Sequence, residues 1–244
     1  MSSDFDYRFG RFRLETLKQH LLKAKSFGYR VTTCAEWAKE AGHGRRQERC
    51  IVLRIDVDHP PERLPALLSV LDECDVKGSI FVRLHGEYNP FSFQNYKVLK
   101  SAIQRGYELG YHSEVIDQAA IWCEDEADCL TRDLTVLTAM FDYKVVGIAS
   151  HGGRTGLNNL NFWENHSPAD FGLLYEAYDT EPSFDLFRQS LYLSDSEWVR
   201  WKCYRYGKLI PGDNRDLGEH LDEHPDLIYL LIHPETFFHE HPYE

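Results

Sequence analysis

The residues able to do chemistry in this chain gather where apolar runs end. Asp56 and Asp58 follow Cys50-Ile51-Val52-Leu53-Arg54-Ile55, and His112 closes Leu109-Gly110-Tyr111. His151 and Arg154 follow Val145-Val146-Gly147-Ile148-Ala149-Ser150, Asp195 follows Leu191-Tyr192-Leu193-Ser194, and His233 follows a run of six apolar residues from Leu227. Asp56 and Asp58 are two apart, so on an extended strand they point to one side. Two neighbouring carboxylates repel, and burying both is costly. A cation resolves this, with one Asp as ligand and the other beside the water it activates. His112 and His151 join Asp58 in a donor set that suits Zn²⁺ with an open position. His233, set across from Asp56, completes a general base and general acid pair. Each residue alone has a plainer reading. An Asp at a strand end often caps the next helix, and a lone His is usually a hydrogen-bonded structural group. Their shared position at strand ends is what points to a metal-dependent hydrolytic site.

The elements that must hold these residues alternate. Residues 14–27 carry Leu14, Leu17, Leu21, Leu22 and Ala24 at helical spacing and stop at Gly28. A short strand over 29–32 and a helix over 34–41 come next. Strands are expected at 50–56, 78–84, 109–113, 145–150, 172–176, 190–193 and 227–232, with helices over 62–74, 95–105 and 124–141. Alternation with short connections implies a parallel α/β sheet. About seven such units favour closure into a distorted (β/α) barrel, where chemistry sits at the C-terminal strand ends. No repeat or linker breaks the chain, so 1–244 reads as one domain with a helical lead-in at about 1–48.

Composition narrows the function classes. Hydrophobic residues are 43% of 244, enough for a sizeable core, and the net charge of -12 argues against a nucleic-acid partner. Residues 1–13 are polar, with no apolar core of a signal peptide, and no stretch approaches the ~18 apolar residues of a membrane span. The expectation is a cytoplasmic location with no membrane span. The six cysteines include no C-x-x-C pair and read as reduced, mostly buried thiols.

The order Asp-x-Asp, then Gly-Tyr-His-Ser, then a terminal Leu-x-His resembles the polysaccharide deacetylase family (carbohydrate esterase family 4, the NodB-homology fold). Residues 53–112 carry the closest likeness. There "GSIFVRL" resembles the family's second strand and "SAIQRGYELGYHS" its helix and Glu-x-Gly-x-His signature. "LKQHLLKAKSFGYRVTTCAEW" resembles the family's lead-in, and the likeness is faint over 158–187. The resemblance implies a distorted barrel, a divalent metal that is usually zinc, and removal of an acyl group, as a rule acetyl. The partner would be an acylated amino sugar or polysaccharide precursor. The resemblance makes Asp56 the catalytic base, Asp58 and His112 metal ligands, and His233 the general acid. Leu231 would line the pocket for the acetyl methyl.

The sequence departs from the family at three places. Val57 separates the two aspartates, Ile116 stands where a second His is usual, and Ser150-His151-Gly152-Gly153-Arg154 replaces the motif that carries an Arg. Catalytic zinc normally keeps three protein ligands. His151 is favoured as the third over Glu114 and Asp117, since it ends its own strand and the glycines after it let the chain turn sharply. Arg154 is then assigned to the catalytic set, pairing with Asp56 or binding substrate. Tyr111 and Asp195 are assigned to substrate contacts. Two other functions stay open. One is a carbohydrate-binding pseudoenzyme on the same barrel, which Ile116 favours. The other is a metal-dependent amidase acting on a small C–N substrate.

Overall fold

The computed structural model describes residues 10–40, 48–178, 184–196 and 200–238. In chain order the strands are β1 (Arg30–Thr32), β2 (Cys50–Val57), β3 (Ser79–Val82), β4 (Glu108–Ser113) and β5 (Gly147–Ser150). They continue with β6 (Tyr175–Glu176), β7 (Leu191–Ser194), β8 (Lys202–Arg205), β9 (Lys208–Leu209) and β10 (Leu227–Ile232). The helices are α1 (Leu14–Ser26), α2 (Cys34–Glu40), α3 (Leu64–Glu73), α4 (Phe93–Gln104), α5 (Val115–Trp122), α6 (Glu126–Phe141), α7 (Leu186–Gln189) and α8 (Leu217–His220).

Every residue of β2 is buried, so this strand needs cover on both faces, the pattern of a parallel sheet wrapped by helices. The sheet order is β6-β5-β4-β3-β2-β10-β7-β8-β9. The pairings from β6 through to β7 are all parallel, and β8 pairs antiparallel with both β7 and β9. β1 pairs with residues 50–52 of β2 and β3 with residues 54–57, so the two share one edge of β2 in succession.

Side chains alternate between two layers. Ile51, Leu53, Ile55, Ile80, Leu109, Ile148, Leu193, Ile228 and Leu230 face outward and pack with Leu17, Leu71, Leu99 and Leu137 of the helices. Val52, Phe81, Ala149, Tyr175, Tyr192, Tyr229 and Leu231 form a separate inner cluster. The far strands meet across that interior. Tyr229 of β10 donates to the Ala177 carbonyl just beyond β6 (3.2 Å), and the Tyr178 and Tyr192 hydroxyls lie 3.0 Å apart. The sheet thus curls as a distorted barrel whose seam, among the described residues, is closed by side chains and not by a backbone ladder.

Boundaries differ from the sequence expectation in informative places. The strand expected over 172–176 is only Tyr175–Glu176. After β4 the chain leaves extended geometry at Glu114 (φ -124, ψ 39) and starts α5, a helix the sequence reading left out. The β8–β9 hairpin was likewise not foreseen.

Gly110 shows how tightly the interior is filled. A Cβ added there would lie 2.4 Å from Phe81 Cε1 and 3.1 Å from the Gly147 carbonyl oxygen. Gly110→Ala is expected to destabilise the fold by about 1–3 kcal/mol through overpacking. The check is the urea midpoint at unchanged slope; a wild-type midpoint would mean the Phe81 ring has room to move.

Candidate metal centre and active site

β2 aims two groups inward, Arg54 and Asp56, because they are two apart. Arg54 grips Asp56 with both ends of its guanidinium, Nε to Oδ1 at 2.8 Å and Nη2 to Oδ2 at 2.6 Å. Arg54 is 1% exposed and Asp56 2%. The guanidinium also lies 4.7 Å from the Tyr178 ring centroid and 5.5 Å from that of Phe81, so the charge is held by a carboxylate and two aromatic faces. Burial pushes the Asp56 carboxyl up, but Arg54 and then His112 outweigh it and hold it below the ordinary value.

Asp58 lies just past the end of β2. Its carbonyl accepts from Arg83 Nη1 (2.9 Å), and the Val57 carbonyl before it accepts from the Tyr88 hydroxyl (2.7 Å). These bonds fix the strand end. Three imidazoles converge on the Asp58 carboxylate. His112 Nε2 is 3.1 Å from Oδ1, His233 Nε2 is 3.6 Å from Oδ2, and His151 Nε2 is 3.9 Å from Oδ2. Burial raises the Asp58 carboxyl, and His112, His233 and His151 together hold it far below the ordinary range.

His112 and His233 are each oriented by a hydrogen bond at the other nitrogen. His112 Nδ1 sits 2.8 Å from the Ala149 carbonyl, which only an N–H can satisfy, so Nε2 is left to face Asp58. His151 Nδ1 is buried beside Glu114, 3.4 Å from Oε1, without the geometry of a hydrogen bond. Glu114 is itself clamped by Arg83, through Nε at 3.1 Å and Nη2 at 2.6 Å. Burial raises the Glu114 carboxyl, but His151 and Arg83 bring it down to about 2. His233 Nδ1 lies 2.5 Å from Asp195 Oδ1, and its backbone N–H donates to Asp195 Oδ2 (2.9 Å). Burial pushes the His233 imidazole down, while Asp195 above all, then Asp56 and Asp58, raise it to about 10.

The donor atoms of Asp58, His112 and His151 lie within 4.8 Å of one another. Asp58 Oδ1 is buried and no properly oriented hydrogen bond reaches it, despite His112 Nε2 at 3.1 Å. An orphaned carboxylate oxygen facing imidazole nitrogens is the environment a cation satisfies, and one carboxylate with two imidazoles suits zinc. Asp56 Oδ2, 3.3 Å from His112 Nε2, borders this group on one side, and His233 on another.

No family model and no curated protein matches this sequence. Among solved structures, the chain is similar to the Streptococcus pyogenes deacetylase PplD in complex with acetate. The identity is 16%, over 66% of this chain and 70% of that one, with a TM-score of 0.48. It is also similar to a mutant of BA3943, a CE4 family pseudoenzyme with restored enzymatic activity, at 16% identity, 78% and 58% coverage and a TM-score of 0.46. A third is the Bc1960 peptidoglycan N-acetylglucosamine deacetylase in complex with an N-oxidanyl-benzamide, at 15% identity, 74% and 71% coverage and a TM-score of 0.40.

The structure brings Asp56, Asp58, His112, His151 and His233 together and leaves other expected site residues elsewhere. Arg154 does not reach Asp56: its guanidinium lies 3.8 Å from Glu87 on the exposed rim, and its backbone N–H donates to Asp117. Arg54 holds Asp56 instead. Asp117 is not at the centre either, since its carboxylate accepts from the 154–159 loop through Arg154, Thr155 and Asn159. Tyr111 points outward, as its neighbour His112 points in, and its hydroxyl donates to Asp133 (2.6 Å). Asp195 is fully buried, and both of its carboxylate oxygens are engaged by His233, at Nδ1 and at the backbone N–H. Leu231 is buried on the inner face of β10, two residues before His233. Sequence reasoning missed Arg54 and Arg83. The signal for Arg54 was a single cation inside an apolar run, in step with Asp56. Arg83 is likewise a lone cation in the apolar run over 78–84, but its partner Glu114 lies 31 residues away and not in step on the same strand.

Among the described residues, no helix is long and apolar enough to cross a membrane. The six cysteines are single thiols, Cys123 exposed and the others buried.

Proposed function

We propose that this chain is a metal-dependent hydrolase that removes an acyl group, acetyl foremost, from the nitrogen of an amino sugar or polysaccharide precursor. The observation that carries the reading is the convergence of Asp58, His112 and His151, with Asp56 and His233 bordering them. His151 supplies the donor that Ile116 cannot. This favours a working site over a pseudoenzyme.

A zinc ion held by Asp58, His112 and His151 would polarise the scissile carbonyl and acidify a water enough for a weakly basic carboxylate to deprotonate it. Asp56, kept ionised by Arg54, takes that proton. His233 donates its Nδ1–H to Asp195, and that carboxylate, with Asp56 and Asp58, raises the imidazole to about 10, so the ring is doubly protonated and carries a second proton on Nε2. It gives this proton to the nitrogen of the departing amine, so that the C–N bond breaks to a neutral amine and not to an anion. Leu231 lines the space for the acyl methyl. The test is acetate release by the zinc-loaded protein from a panel of N-acetylated amino sugars, alongside small amides and cyclic imides. Release from the sugars is expected. Turnover of the small amides alone would overturn the substrate class, and a fully loaded protein inert on every substrate would be the pseudoenzyme.

The Asp195–His233 pair gives a pH prediction. A cation on Asp58 cancels part of what raises the His233 pKa, but Asp195 remains. Asp195→Asn should therefore move the basic limb of kcat/KM to lower pH, from the direction of 10 towards the ordinary 6.5, and lower the rate near pH 8 by about 10-fold or more. An unmoved basic limb would remove His233 from the acid role. The same pair contributes to stability. Its contribution is complete below the unfolded imidazole value of 6.5 and is lost as pH rises through about 10.

A further inference from the structure

Away from the centre just described, a second set of ligand-type side chains meets where the β8–β9 hairpin returns to the core. Cys203 lies on β8, Asp213 in the turn after β9, and His220 ends α8. Cys203 and His220 are fully buried, and the Asp213 side chain is 9% exposed. Cys203 Sγ is 3.3 Å from His220 Nε2, and Asp213 Oδ1 is 3.6 Å from the same nitrogen. All three donor atoms lie within 4.8 Å of one another.

This is not the arrangement of a nucleophile, base and orienting acid. In such a relay the carboxylate holds the ring nitrogen opposite the thiol. Here thiol and carboxylate both face Nε2, while the buried Nδ1 has no hydrogen-bond partner. The Cys203 thiol donates to the Arg215 carbonyl (3.6 Å) and Asp213 Oδ1 accepts from Arg215 Nε (3.0 Å), so neither depends on Nε2, yet both stand beside it. Three donors aimed at a common point are what a cation reconciles. A tetrahedral zinc places a thiolate sulfur about 3.5 Å from a neighbouring nitrogen and a nitrogen about 3.3–3.4 Å from a neighbouring oxygen, and the two separations above lie within about 0.3 Å of these.

We propose that Cys203, Asp213 and His220 form a second metal site, structural in role and suited to Zn²⁺. Thiolate, imidazole and carboxylate are the donors that zinc takes. The fourth corner falls to the Arg215 carbonyl oxygen, 3.6 Å from Cys203 Sγ, or to a water. Arg215 supplies the outer support. Its Nε donates to Asp213 Oδ1 (3.0 Å) and its Nη2 to Oδ2 (2.8 Å), which fixes the plane of the carboxylate. The site ties β8, the turn at Asp213 and α8 together. The strand between them, β9, is only two residues long and exposed, so it gives that segment little hold of its own.

The experiment uses cobalt(II) in place of the native ion and reads the near-ultraviolet thiolate-to-cobalt charge-transfer band. The group of Asp58, His112 and His151 contains no sulfur, so the band reports only a cysteine ligand. Cys123, the exposed thiol, is first replaced by Ser to remove stray binding. The Cys123→Ser protein, metal-stripped and titrated with cobalt, should show the band, complete by two equivalents per chain because the Asp58 group takes one of them, and complete by one equivalent when His151→Ala is added. The band should persist when His151→Ala is added and vanish when Cys203→Ala is added. A cobalt-saturated Cys123→Ser protein without the band overturns the proposal, whatever the folding of the other variants. So does a band that survives Cys203→Ala. Neither outcome bears on acetyl hydrolysis, which belongs to the other group.

Discussion

Asp56→Asn should leave the zinc content at the wild-type level and lower turnover by about 10²-fold or more, the usual contribution of a positioned general base. Asp58→Asn should lose the ion from the centre and the activity with it. The contrast follows from geometry. Asp56 faces Arg54 with both oxygens and only borders the metal group, whereas Asp58 Oδ1 is buried, faces His112 and has no hydrogen bond. The amide introduced by Asp56→Asn still offers Arg54 an acceptor oxygen, so the variant should stay folded, but it cannot take a proton. The measurements are zinc per chain and kcat on the same preparations. Zinc lost from Asp56→Asn and kept by Asp58→Asn would reverse the two roles.

Arg54→Met should cost about 3–5 kcal/mol of stability, the range for breaking a buried ion pair by removing one partner. Methionine fills much of the volume, so the loss reports the charge left behind on Asp56. Without the guanidinium, burial acts on Asp56 unopposed except by His112 and His233, and its carboxyl rises. Activity should then fall off at higher pH on the acid side than in the wild type. In the wild type the depressed Asp56 pKa stabilises the fold above the ordinary value of 3.8, and that contribution is lost as pH falls through the lower folded value. A double variant with Asp56→Asn should lose much less than the sum of the single losses, because the two groups are one unit. Additive losses in chemical denaturation would mean that the pair is not coupled and that Arg54 matters only as packing against Tyr178 and Phe81.

The parallel sheet was legible because its signals are local. Apolar runs such as Ile51 to Ile55 and Leu227 to Ile232 need cover on both faces, and period 2 alone puts Asp56 inward with Val52. The polar strand ends follow from the same pattern. Pairings set by distant registers were not legible. Asp195 orients His233 because β7 lies beside β10 with Ser194 opposite Leu231, which neither segment reveals by itself. The pairing of Arg154 with Asp56 fails for a similar reason. The glycines at 152 and 153 freed the loop to turn, and Asp117, on a helix the sequence pattern did not show, holds the loop's backbone away from Asp56. Arg54 could have been found, since a lone arginine in a buried strand needs an anion on its own face, and Asp56 is two residues on.

His151 is where this chain parts from the family it resembles, so it offers the most direct test of the centre. Zinc per chain and acetate release from an N-acetylated amino sugar should be measured on the wild type and on His151→Ala after equal exposure to zinc and gel filtration. The expected result is that His151→Ala retains one equivalent of zinc less than the wild type and releases no acetate above background. A His151→Ala protein with wild-type zinc and wild-type acetate release would contradict the metal centre built here on Asp58, His112 and His151.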